Sequence, residues 1–128
     1  MYRRKSRQLK LGNMFIGGDA PISVQSMTNT KTENVEATVN QIRELTALGC
    51  DVIRCAVPDL IAARALAAIK EQISIPLIAD IHFDYKLALE ALDSGVDGLR
   101  LNPGNIGGED GVAQVIEKAS VHNIPIRI

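Results

Sequence analysis

From about Gln8 to Ile128 the chain alternates short apolar runs with longer stretches in which apolar residues return every third or fourth position. The first pattern marks buried strands and the second marks helices with one packed face. Five runs read as strands, at Pro21–Met27, Asp51–Val57, Leu77–Asp84 with Asp80 and His82 at its end, Val96–Leu101 and Ile124–Ile128. Four helices are predicted between them. The first buries Val35, Val39, Ile42, Leu45 and Leu48, and the second, running to Glu71, buries Leu60, Ala63, Leu66, Ala67 and Ile69. From Tyr85 the third turns Leu87, Ala88, Ala91 and Leu92 inward, and the fourth, over 109–122, turns Val112, Val115, Ile116 and Ala119. Thr32, Asp59 and Asp84 are the expected N-caps, while Gly49 and Gly95 are expected to end helices.

Strand and helix in strict alternation predict parallel pairing with right-handed crossovers. The almost unbroken apolarity of Asp51–Val57, with Arg54 its one charged interior residue, predicts a strand covered on both faces. Ahead of this series, Leu9-Lys10-Leu11 and Met14-Phe15-Ile16 flank Gly12-Asn13 and read as a small hairpin. Residues 1–8 are expected to be a flexible tail. Five strand–helix steps fit either an open doubly wound sheet or the first part of a (β/α)8 barrel. The pattern leaves both open, although the charged, unfinished fifth strand looks cut, as a truncated (β/α)8 TIM-like barrel of about five parallel strands over residues 9–128 would.

Composition narrows the partners. Among 128 residues, 14 Lys and Arg balance 15 Asp and Glu for a net charge of -1, without the basic excess of a nucleic-acid or membrane binder. The cluster Arg3-Arg4-Lys5-Arg7 has no interleaved aromatic residues and reads as a solvated tail. No run is apolar enough to span a membrane and no secretory leader is evident, so a cytoplasmic protein is expected. Cys50 and Cys55 lie in apolar settings and read as packed thiols.

Chemistry collects at the strand ends: Ser26, Thr28 and Asn29 from the first, Arg54 from the second, Asp80 and His82 from the third, Arg100 and Asn102 from the fourth, and Arg127 from the fifth. An unpaired charge in an apolar strand is costly, so an acid must meet these three arginines. Asp80 can pair with one of them as a purely structural bridge. It cannot neutralise all three, and an anion with several oxygens, such as a diphosphate, suits their forked donors. His82 is read as an acid or base, a donor to phosphate, or a capped core imidazole. Asp80-x-His82 supplies two potential metal ligands, short of a catalytic zinc set. The glycine-rich loop over 102–108 spells neither a phosphate loop nor a dinucleotide motif, although its backbone could approach an anion.

Three stretches carry a family resemblance: Val24-Gln25-Ser26-Met27-Thr28-Asn29-Thr30, Ala79-Asp80-Ile81-His82-Phe83-Asp84, and Leu99-Arg100-Leu101-Asn102-Pro103-Gly104-Asn105-Ile106-Gly107. In this order they resemble the N-terminal half-barrel of the 4-hydroxy-3-methylbut-2-enyl diphosphate synthases, iron-sulfur enzymes of the non-mevalonate isoprenoid pathway. The resemblance implies that Arg54, Arg100 and Arg127 hold the diphosphate of 2-C-methyl-D-erythritol 2,4-cyclodiphosphate, and that Asn102 adds a neutral donor. It implies that Asp80 and His82 order the pocket, with Ser26, Met27 and Asn29 as further pocket residues. It also implies a 4Fe-4S cluster in a separate C-terminal domain, flavodoxin or ferredoxin as electron donor, a homodimer, and a cytoplasmic or plastid location. Neither cysteine here matches the family's cluster motifs, so no cluster is expected on this chain, which is expected to be inactive alone. The alternatives are a barrel acting on a phosphorylated substrate in the manner of a dihydropteroate synthase, and a non-enzymatic anion-binding α/β module.

Overall fold

The computed structural model describes residues 9–11, 14–16, 24–82, 84–101 and 109–127, with side chains described over 24–82, 84–101 and 111–127. Strands β1 (Leu9–Leu11) and β2 (Met14–Ile16) pair antiparallel, Leu9 opposite Ile16, as the hairpin reading requires. Nine further elements follow: β3 (Gln25–Met27), α1 (Val35–Ala47), β4 (Val52–Val57), α2 (Leu60–Gln72), β5 (Leu77–Ile81), α3 (Tyr85–Asp93), β6 (Gly98–Leu101), α4 (Glu109–Val121) and β7 (Ile126–Arg127).

Strands β3 to β7 form one parallel sheet in chain order. A doubly wound sheet reverses its strand order partway, whereas a barrel adds each strand beside the last. The sheet with its four helices is therefore a partial α/β barrel, a truncated (β/α)8-like fold preceded by a short hairpin. The strand at Pro21–Met27 is shorter than expected in its described part, Gln25–Met27, and residues 17–23 lie outside the described residues.

Alternation along each strand separates the two faces. Ile53, Cys55 and Val57 of β4, Leu77, Ala79 and Ile81 of β5, and Leu99 and Leu101 of β6 are buried against the helices. On the other face Arg54, Ala56, Ile78 and Arg100 are only half-buried, so the expectation that β4 is covered on both faces is corrected. A chain that must place charges on one face cannot also seal it with apolar groups.

Helix caps follow local chemistry. Asp59 Oδ1 accepts from the Ala62 amide at 2.8 Å, and Asp84 Oδ1 from the Lys86 amide at 2.9 Å, as expected. For α1 the cap is Asn34, whose side chain accepts from the Ala37 amide, in place of Thr32. The Thr32 hydroxyl instead donates to the Ala56 carbonyl at 2.6 Å, tying the β3–α1 loop to the end of β4. Gly49 (φ 102°) and Gly95 (φ 89°) end α1 and α3 in the left-handed region, where a side chain would be strained. The helix faces hold with four corrections: Leu48, Leu60, Ala67 and Ile116 are exposed. Leu48 is the C-cap of α1, past the last helical turn, and is 85% exposed; Leu60 opens α2 before its buried face is established.

A repeated feature sets the strand registers. Gly49-Cys50-Asp51 and Gly95-Val96-Asp97 each follow a helix and precede a strand. Asp51 Oδ2 accepts from the Val24 amide at 2.9 Å while the Asp51 amide donates to the Val24 carbonyl at 2.8 Å. Asp97 does the same to Leu77, at 2.8 and 2.9 Å, and also holds Lys70 Nζ. Each aspartate thus clamps the start of the preceding strand, and an arginine follows it by three residues, at Arg54 and Arg100.

Candidate functional site

Parallel register carries side chains of paired residues to the same face. It aligns Ala56, Asp80, Arg100 and Arg127 in one row near the carboxyl ends of β4 to β7, and Met27, Arg54 and Ile78 in the row beneath. Asp80 is the centre of this face, a carboxylate only 4% exposed. Its Oδ1 accepts from Arg100 Nη1 at 3.0 Å. Its Oδ2 lies 3.7 Å from both Arg54 Nε and His82 Nε2, inside ion-pair range but too far for a good hydrogen bond.

The Arg54 Nε–H is consequently buried without a hydrogen-bond partner among the described residues. Its Nη2 meets the thioether of Met27, a weak acceptor, at 3.6 Å. Native structures rarely leave such a donor orphaned, because the lost hydration costs about 1–3 kcal/mol. Arg100 is already satisfied by Asp80 on one side of its fork, whereas Arg54 retains more unmet hydrogen-bonding capacity. His82 stands just past β5, where its amide donates to the Val57 carbonyl at 3.2 Å, and its side chain is 37% exposed.

The structure therefore brings Met27, Arg54, Asp80, His82 and Arg100 together. Arg127 stands beside Arg100 in register, exposed and without an ion-pair partner among the described residues. Ser26 pairs in register with Ile53 and so shares the face turned to the core. Asn29 is exposed and engages Gln41 of α1 reciprocally, its amide donating to Oε1 at 2.9 Å and its Oδ1 accepting from Nε2 at 2.6 Å. Asn102 and the loop over 102–108 lie outside the described residues. Sequence reading missed Gln41, twelve residues from its partner, and no local pattern signals that pairing.

Among the described residues, the facing groups are three guanidinium charges against one carboxylate. Such a surplus beside a half-buried surface attracts an anion and supplies forked donors for its oxygens. Cys55 lies on the opposite face, where burial pushes its thiol above the ordinary value, with the neighbouring Thr28 hydroxyl acting in the other direction. It is a core residue and a poor nucleophile at neutral pH. Cys50 is also buried, and no group of three potential metal ligands occurs among the described residues. These two buried thiols do not fit an iron-sulfur cluster.

Comparison with known proteins fits this geometry. Residues 6–128 match the GcpE TIM-barrel domain. The chain is 59% identical over 128 residues to the 4-hydroxy-3-methylbut-2-en-1-yl diphosphate synthase (flavodoxin) of Vesicomyosocius okutanii subsp. Calyptogena okutanii (strain HA), covering 100% of this chain and 36% of that protein. It is 60% identical over 126 residues to the protein of the same name from Chromohalobacter salexigens, covering 98% of this chain and 34% of that one. The chain thus spans about a third of the length of these curated relatives. Among solved structures, the 7,8-dihydropteroate synthase from Vibrio fischeri ES114 aligns with a TM-score of 0.67 at 15% identity, over 94% of this chain and 48% of that one. A mandelate oxidase aligns at 0.56 with 12% identity, over 84% and 50%. At such identities these two show the fold alone. The sequence matches are of another order, and they place the chain in the GcpE TIM-barrel domain family.

Proposed function

We propose that this chain is the substrate-binding portion of an enzyme that reductively opens 2-C-methyl-D-erythritol 2,4-cyclodiphosphate to 4-hydroxy-3-methylbut-2-enyl diphosphate in isoprenoid biosynthesis. The observation that carries the reading is the shortage of acid on the polar face: among the described residues, Asp80 alone faces Arg54, Arg100 and, along the row, Arg127. A diphosphate supplies the missing negative charge and the acceptors for the orphaned Arg54 donor. The relatives' shared name supports the reaction and its flavodoxin donor, with ferredoxin as the other candidate. In this reading the 4Fe-4S cluster that supplies the electrons is held elsewhere in the full-length protein, which is a homodimer, and the 128 residues are inactive alone. Asp80 and His82 order the pocket, Asn102 adds a neutral donor, and Met27 backs Arg54. Ser26 and Asn29 contribute by shaping β3 and the loop after it. Among the described residues no helix is long and apolar enough to cross a membrane, in keeping with a cytoplasmic or plastid enzyme.

The test is substrate affinity in full-length Arg54→Ala, Arg100→Ala and Arg127→Ala. Each substitution weakens binding by about 1 kcal/mol or more, the order of a charge-assisted hydrogen bond. Unchanged affinity in all three would remove the site.

A further inference from the structure

We propose that His82 takes up a proton from solvent as the anion binds, which couples ligand affinity in this pocket to pH near neutrality. The inference rests on the anion-site reading above and concerns its regulation.

Three observations carry it. First, His82 Nε2 lies 3.7 Å from Asp80 Oδ2, the carboxylate oxygen that Arg100 does not occupy. An imidazolium there has an acceptor within a small movement. Second, the His82 side chain is partly exposed, so its proton can exchange with water. Third, the net positive charge facing it is neutralised on binding. Asp80 faces it from β5, Arg54 from β4 and Arg100 from β6, with Arg127 of β7 next in the same row. Asp84, two residues on, is directed to the cap of α3, where it accepts from the Lys86 amide.

In the ligand-free pocket the groups facing the imidazole are three guanidinium groups and one carboxylate. A cyclic diphosphate carries one ionisable oxygen on each phosphorus, both strongly acidic, so it arrives as a dianion whose own charge is constant around neutral pH. Against three guanidinium groups and one carboxylate it brings the local balance to zero. The added negative charge favours the imidazolium, with Asp80 Oδ2 as its nearby acceptor. Imidazole is the side chain whose ordinary titration range, near about pH 6.5, puts this exchange within physiological reach. By linkage, a ligand that raises proton affinity binds more tightly where the proton is available.

The experiment is calorimetric titration of the full-length protein with 2-C-methyl-D-erythritol 2,4-cyclodiphosphate at pH 7.5 in HEPES and in Tris, whose ionisation heats differ. The expected result is a buffer-dependent heat corresponding to uptake of about half a proton per ligand, with affinity about threefold to tenfold weaker at pH 8.5 than at pH 6.5. In His82→Asn the buffer dependence disappears and affinity is flat over that range. Binding without proton uptake, or uptake that persists in His82→Asn, overturns the inference and leaves the anion site standing. Absence of binding overturns both. A direct readout that needs no folded variant is the NMR titration of the His82 ring in the native protein. Its midpoint moves to higher pH on adding ligand, and an unmoved midpoint sinks the proposal.

Discussion

Arg100 and Asp80 face each other from adjacent strands at the same height, with Nη1 3.0 Å from Oδ1. Because Asp80 is buried and Arg100 is 44% exposed, the pair is a rigid carboxylate holding a guanidinium whose other edge is wet. That asymmetry makes Asp80 the residue on which the polar face depends. Asp80→Ala strands Arg54 and Arg100 without their shared counter-charge, although water reaches both and reduces the cost. A loss of about 1–3 kcal/mol is expected in urea unfolding, with Asp80→Asn at the lower end. Wild-type stability in Asp80→Ala would show that the arginines need no internal partner.

A second prediction concerns how α3 and α4 meet. A Cβ placed on Gly111 would lie 2.5 Å from Cδ1 and 2.6 Å from Cγ of Tyr85. The clash is with the base of the ring, so it cannot be relieved by moving a flexible tip. Gly111→Ala gains about 1 kcal/mol of helix propensity but incurs overpacking of about 1–3 kcal/mol. Net destabilisation is expected, and Gly111→Ala combined with Tyr85→Ala recovers the propensity gain. A thermal melt of the single variant at or above the wild-type midpoint would contradict this packing.

Cys55 gives a pH dependence with a definite sign. Burial holds its folded thiol above the ordinary value of 9.0, so above that pH the unfolded chain loses its proton while the folded one keeps it. The contribution is therefore intact below about pH 8.5–9 and is lost as pH rises, by up to about 1.4 kcal/mol per unit. Urea unfolding of wild type and Cys55→Ala between pH 7.5 and 10 compares the slopes, and the variant's is the shallower. Equal slopes would mean that the thiol ionises as readily in the fold as outside it.

Much of this was legible in the sequence because period-two and period-3.6 patterns are local. Four helices and the sheet strands fell within a few residues of their expected positions, and Asp59 and Asp84 capped as read. The choice between barrel and open sheet was not local, since it depends on which strand edges meet. The need for an acid among the arginines followed from the cost of buried charge. Which arginine Asp80 engages most closely did not, because it depends on register: Arg100 stands level with Asp80, whereas Arg54 sits a row lower. Asn34 displaced Thr32 as a cap for a similar reason, the threonine hydroxyl having found the Ala56 carbonyl 24 residues away.

The clamps at Asp51 and Asp97 bear on folding fidelity. Each sits three residues before an arginine, so the contact that starts a strand pairing also decides which way its guanidinium points. A slip by one residue would turn Arg54 or Arg100 inward among Ile53, Cys55, Leu99 and their neighbours, where a charge is far costlier than a misplaced leucine. The cations of the proposed anion site thus also act as proofreaders during assembly, penalising misaligned sheets.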